Sequence, residues 1–157
     1  MRKRLLSSAP KDISSPEQEW LNLEDVASVE ITSEDATHPI ESALLPGQQS
    51  GWRAGEPGEQ TIRLIFDQPL RLSRIWLLFA GSEVERTQEF VLRWSPDGGR
   101  SFREIVRQQW NFSPPDTIRE LEDYKVELSG VTVLELNIVP NKNGGTARAS
   151  VAELRLG

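Results

Sequence analysis

Apolar and polar residues alternate over short stretches through most of the chain, and none of these stretches holds the 3.6-residue period of a long helix. The clearest alternation lies between Thr87 and Trp110, TQEFVLRWSPDGGRSFREIVRQQW. Phe90, Leu92 and Trp94 share one face of its first half, with Val91 and Arg93 on the other. Ser95-Pro96-Asp97-Gly98-Gly99 then supplies turn chemistry. Pro96 presets a negative φ, Asp97 tolerates the bridge geometry, and Gly98 or Gly99 accepts the left-handed conformation that rejoins the ladder. The stretch predicts a hairpin that anchors an antiparallel sheet.

Other segments extend that sheet. Trp20 to Thr32 brings Leu21, Leu23, Val26, Val29 and Ile31, a first strand with a turn or short helix before it. Gln60 to Phe66 sets Ile62, Leu64 and Phe66 against Thr61, Arg63 and Ile65, the pattern of a half-buried strand. Asp67-Gln68-Pro69 is expected to turn the chain into Leu70–Ala80, whose run Ile75–Phe79 suits the centre of a sheet. Ile118–Leu128 and Val131–Val139 read as partners across a tight Ser129-Gly130 turn, and Ala149–Leu156 closes the chain. Ile40–Leu45 predicts a single helical turn. The sum is an all-β antiparallel sandwich of about eight strands, without internal repeats.

The connections alternate in length. Asp67–Pro69, Pro96–Gly99 and Ser129–Gly130 are short; Ser33–Glu59, Gly81–Arg86, Trp110–Thr117 and Pro140–Ala147 are long. Antiparallel strands send alternate connections to opposite ends, so the long loops are expected at one rim and the termini near the short turns. Loops gathered on a rigid scaffold commonly bind something. That rim would present Glu83, Asp116 and Thr146 together with the candidate ligand-binding residues Arg53, Glu85, Arg86, Trp110, Asn111, Phe112, Asn141, Asn143 and Arg148. An exposed aromatic face flanked by Arg and Asn suits a sugar, whose C–H face packs on a ring while fixed donors and acceptors read its hydroxyls. Trp110 and Phe112 have a structural alternative, folding back to cap the sheet, and the Asn and Gly residues at 141–145 are equally turn-formers. Trp52, alone in a polar loop, is expected to seal the core.

Composition narrows the function classes. The 157 residues fit one domain at 20–157 behind a loose polar arm at 1–19 that carries Pro10 and Pro16. A net charge of −6 opposes nucleic acid and anionic membranes as partners. Cysteine is absent, which excludes disulfides, thiol nucleophiles and thiolate metal sites and accords with a cytoplasmic location. Met1-Arg2-Lys3-Arg4 begins like a signal peptide but lacks the apolar region that export needs. No apolar run approaches the length of a membrane span. His38 is the single histidine, no G-x-S-x-G elbow is present, and alternation would point Glu83 and Glu85 apart. No phosphate-cradling glycine loop or zinc spacing appears. The chain is expected to be neither an enzyme nor a cofactor carrier.

Ile31-Thr32-Ser33-Glu34, Ala43-Leu44-Leu45, Gly51-Trp52, Gln60-Thr61-Ile62, the Ser95–Phe102 turn and Val151-Ala152-Glu153-Leu154-Arg155-Leu156 follow one another in an order that resembles the discoidin, or coagulation factor 5/8 type C, family. The resemblance covers about Val26 to Gly157 and implies a galactose-binding-like jelly roll with its ligand loops at one rim. It further implies a non-catalytic module that binds carbohydrate. The alternative is an intracellular protein–protein interaction scaffold, since Gly51–Ile62 resembles the N-terminal domain of the X-ray repair scaffold protein. Sugar-binding members hold calcium through an acidic segment before the Trp. Here that segment is Leu45-Pro46-Gly47-Gln48-Gln49-Ser50-Gly51, so with Glu153 as the one carboxylate no metal is expected. Ser95 to Phe102 also looks like the Asp box of sialidases, but a single copy in so short a chain argues for a self-capped turn.

Overall fold

The alternating stretch at Gln60–Phe66 and the continuous apolar run at Ile75–Phe79 belong to one strand. In the computed structural model, which describes residues 19–47, 50–81 and 84–157, β3 runs from Gln60 to Ala80. It pairs antiparallel along its length with β6, Arg119–Val139. The turns expected at Asp67-Gln68-Pro69 and Ser129-Gly130 are therefore bends in a continuous two-stranded ribbon. Register slips between Ile65 and Arg74 loosen the ladder there, and Gly130 takes a φ of 70°. A bulged ribbon can bend sharply while its strands stay paired, so turn-forming residues do not by themselves separate two strands.

The bend divides the ribbon between two layers. Its first β3 half lies between β1, Ala27–Ile31, and the second half of β6. That half of β6 pairs on with β4, Arg86–Ser95, and β4 with β5, Arg103–Phe112. The second half of β3 takes β8, Glu153–Leu156, on its other side. Ile62 and Leu64 from one layer share a core with Ile75, Leu77 and Phe79 from the other, and the rings of Phe79 and Phe90 stand 5.0 Å apart. The expected sandwich is present. Strand β2, Trp52–Arg53, pairs with β7, Ser150–Val151. Two single-turn helices, α1 at Leu23–Val26 and α2 at Glu41–Leu44, lie before them. Trp52 is 1% exposed, its Nε1 donating to Ser33 O at 3.1 Å.

The β4–β5 hairpin closes as its turn residues direct. Ser95 Oγ donates to Asp97 Oδ1 and accepts the amides of Asp97 and Gly99, while Asp97 receives Ser101 N and Oγ. Gly98 and Gly99 take positive φ values of 75° and 94°. Thr132 Oγ1 accepts from Gly98 N at 2.9 Å and donates to Ser95 O at 2.8 Å, which ties this turn to the ribbon bend. Gly157 O accepts from Ser73 N at 2.7 Å, beside the same bend. Residues 1–18 of the expected arm lie outside the described residues. No helix among the described residues is long and apolar enough to cross a membrane.

Candidate functional site

The other pole collects the long loops. Because the ribbon doubles over, both of its ends arrive there. Gly58 bridges to Arg148, Ser150 Oγ donates to Ala80 O at 2.9 Å, Gly81 N to Ile118 O at 2.7 Å, and Lys142 N to Thr87 O at 2.8 Å. Two hollows open among these loops. One, of about 190 Å³, is lined by His38, Arg53, Ala80, Gly81, Val84, Arg86, Ala147, Arg148 and Ser150. The other, of about 390 Å³, is lined by Glu85, Arg86, Thr87, Asn111, Ser113, Asn141 and Asn143. Arg86 borders both.

Arg86 is built into the wall. Strand alternation turns it inward from β4 with Gln88 and Phe90, and it is 8% exposed. Its guanidinium lies 4.4 Å over the Phe112 ring, and Nη1 donates to Pro140 O at 2.8 Å and to Gln88 Oε1 at 3.2 Å. Gln88 Nε2 in turn reaches Glu120 Oε1 at 3.4 Å. Glu120 is 1% exposed, and burial, then the neighbouring Glu122, push its carboxyl up to about 8. Tyr124 Oη donates to Glu122 at 2.8 Å on the same inner face. A polar cluster thus runs from the rim into the sandwich beneath Arg86.

Two candidate residues change role. Phe112 is 0% exposed and forms the floor under Arg86, so it presents no ring face to a ligand. Trp110 packs against the core, and its Nε1 is buried without a hydrogen-bond partner among the described residues. Strand parity is the reason. Trp110 pairs with the inward Gln88 and Phe112 with the inward Arg86, whereas Asn111 between them is exposed and accepts from Thr87 Oγ1 at 2.8 Å. The other seven lie around the hollows: Arg53, Arg86 and Arg148 in the first, and Glu85, Arg86, Asn111, Asn141 and Asn143 in the second. Asn141 also works as a turn residue, its Oδ1 accepting Asn143 N at 3.1 Å. Asp116 and Thr146 line neither hollow, and Glu83 lies outside the described residues.

Sequence reasoning passed over His38, Ala80, Gly81, Val84, Ala147 and Ser150. A local signal for His38 exists in Asp35-Ala36-Thr37, an Asx turn in which Thr37 N and Oγ1 both donate to Asp35 Oδ1. These bonds hold the Asp35 carboxyl below its usual range, with smaller contributions from His38 and Arg148. Arg53 N then donates to His38 O at 3.2 Å, and Asp35 N to Arg53 O at 2.8 Å, which brings the imidazole loop against β2.

No protein-family model matches the chain, and no curated protein matches it in sequence. Solved structures match its fold. The family 32 carbohydrate-binding module of Clostridium perfringens NanJ, solved with galactose, aligns at a TM-score of 0.61 and 13% identity over 85% of this chain and 94% of that one. The same fit, 0.61 at 15% identity over 85% and 95%, holds for the family 32 module of AlyQ in complex with 4,5-unsaturated mannuronic acid. The fold is galactose-binding-like, of the discoidin type. Reduced XRCC1 bound to the DNA polymerase β catalytic domain shares it at 0.61 and 14% identity, over 84% and 95%.

In this galactose-binding-like sandwich the segment before Trp52 has a cation of its own. Arg155 Nη1 donates to Ala43 O at 2.8 Å and Nη2 to Leu45 O at 3.4 Å, with Glu153 at 4.0 Å. Among the described residues no group of three His, Asp or Glu side chains is placed to hold a metal ion.

Proposed function

We propose that the chain is a non-catalytic recognition module that binds carbohydrate at the rim, in the hollow bordered by His38, Arg53, Arg86 and Arg148. One observation carries this reading. These four donor-rich side chains converge on a concavity about the size of one sugar ring, at the loop pole of a fold shared with carbohydrate-binding modules. Guanidinium and imidazole groups suit the hydroxyls and ring oxygens of a sugar, and Asn111, Asn141 and Asn143 extend the polar surface into the adjoining hollow. Binding is weak in this reading, roughly 4 to 6 kcal/mol, because few rotamer-free contacts offset the cost of association.

A glycan array followed by calorimetry tests it. The expected result is a glycan signal that the double variant Arg53→Ala, Arg148→Ala removes while its melting curve stays close to the parent's. An array without signal, together with a co-purifying protein whose retention ignores sugar competition, would overturn the carbohydrate reading in favour of a protein-interaction scaffold.

A further inference from the structure

We propose that the open edge of β1 is a docking site for an extended segment of a partner protein, one that carries an aliphatic side chain flanked by basic residues. The site lies on the flank of the sandwich and shares no lining residue with the rim hollows.

Backbone is the first ground. β1 ends its sheet and pairs only with β3 among the described residues. The pairing runs from Ala27 to Ile31 without a register slip, and the strand holds no proline or lysine to blunt its edge. Thr32 N donates to Thr61 O, which continues the register of Ile31 with Ile62. Alternation then turns the amides and carbonyls of Ser28 and Glu30 toward β3, and those of Val29 and Ile31 away from it. An added strand meets donors and acceptors that are already aligned.

The second ground is a socket at that edge. Leu23 of α1, Leu44 of α2 and Leu64 of β3, all buried, line an apolar hollow of about 100 Å³ together with Ala27 and Val29 of β1. The residue of an added strand that pairs with Val29 places its side chain on the Val29 face, toward this hollow. The space suits one branched aliphatic side chain, whose burial removes apolar surface from water on both partners.

Charge sets the flanking chemistry. Glu24 and Glu41 line the hollow, and no Lys or Arg is among its described lining residues. Neither carboxylate is held in an ion pair within the described residues. The net charge of −6 acts in the same direction, so lysine or arginine beside the anchor is attracted both locally and from a distance. A second copy of this chain would instead bring two like-charged edges together.

Fluorescence anisotropy on the full chain with three short capped peptides tests the proposal. One alternates lysine with isoleucine, one replaces its lysines by glutamate, and one replaces its isoleucines by serine. The first should bind at least about tenfold tighter than either control. Val29→Pro removes an amide that points away from β3, so it should abolish this binding while the melting curve stays near the parent's. The double variant Glu24→Gln, Glu41→Gln leaves the backbone untouched and should by itself lose the preference for lysine over glutamate. No binding of the lysine–isoleucine peptide, or equal binding of the serine control, would overturn the proposal. A concentration-dependent dimer in sedimentation that Val29→Pro abolishes would also overturn it, by assigning the edge to a second copy.

Discussion

At the bend pole of the sandwich, Ser95, Asp97 and Ser101 satisfy one another and the turn amides, and Thr132 ties them to the ribbon. At the rim pole, Arg53, Arg86 and Arg148 border an open hollow with His38. Both ends are rich in polar side chains, so polarity alone does not separate them. They differ in where the hydrogen-bonding capacity points. In the turn, the bonds among Ser95, Asp97, Gly99 and Ser101 close within seven residues, and Thr132 takes up Gly98 N and Ser95 O. At the rim, the groups come from four separate stretches of the chain, two of them strand ends, and share a space between them. A binding surface arises where residues distant in sequence meet around a concavity.

Substitutions that move residues between these two behaviours test the contrast. Phe112→Ala should have the largest effect, a loss of about 3–5 kcal/mol in denaturant unfolding, because a fully buried ring leaves a cavity under Arg86. A loss below about 1 kcal/mol would mean that the rim floor is not part of the core. Glu120→Gln comes next and has the opposite sign. The raised carboxyl keeps its proton in the folded chain through neutrality, whereas in the unfolded chain it releases it near 4.5. Stability from this source is therefore complete below about 4.5 and declines as pH rises to about 8. The variant should be more stable than the parent at high pH by on the order of 2 kcal/mol, and nearly equal to it at low pH. An unchanged pH profile would place Glu120 in a wetter setting than the rim cluster provides.

Gly81→Ala should cost about 1 kcal/mol, since its Cβ would meet Arg86 Nη2 at 2.7 Å and the Phe112 ring at 3.1 Å. Its sharper readout is glycan binding at the rim, which should weaken as the guanidinium is pushed aside. The smallest effect belongs to the bend pole. Hydrogen bonds from Ser101 and Ser95 hold the Asp97 carboxyl down to about 2. Its contribution is present above the ordinary value of 3.8 and is lost as pH falls toward about 2. Asp97→Ala should flatten that acid limb of the unfolding profile and leave glycan binding untouched. Any change in binding would couple the two poles.

How much of this was legible in the sequence depends on the range over which each feature is decided. The hairpin, the helical turn at α2 and the sealing role of Trp52 follow from neighbouring residues, and each appears where its local chemistry puts it. Asp67-Gln68-Pro69 and Ser129-Gly130 misled because a turn and a bulged bend use the same residues. Only the partner strand decides between them, and the pairing of β3 with β6 continues across both. The rim candidates split in the same way. Arg53, Arg86 and Arg148 needed only loop lengths, while the inward turn of Trp110 and Phe112 depended on strand parity relative to Gln88 and Arg86.

By itself the sequence determined an antiparallel sandwich with one self-capped turn, a Trp-sealed core and long loops destined for a common end, because alternation, turn chemistry and connection length act over a few residues. Tertiary structure alone decided that two of those turns are folds in a single ribbon. It also decided that Phe112 lies beneath a guanidinium and Trp110 against the core, and that one histidine joins three arginines around a hollow. Those outcomes depend on which face of each strand meets the opposite layer, and no short window of the chain contains that information.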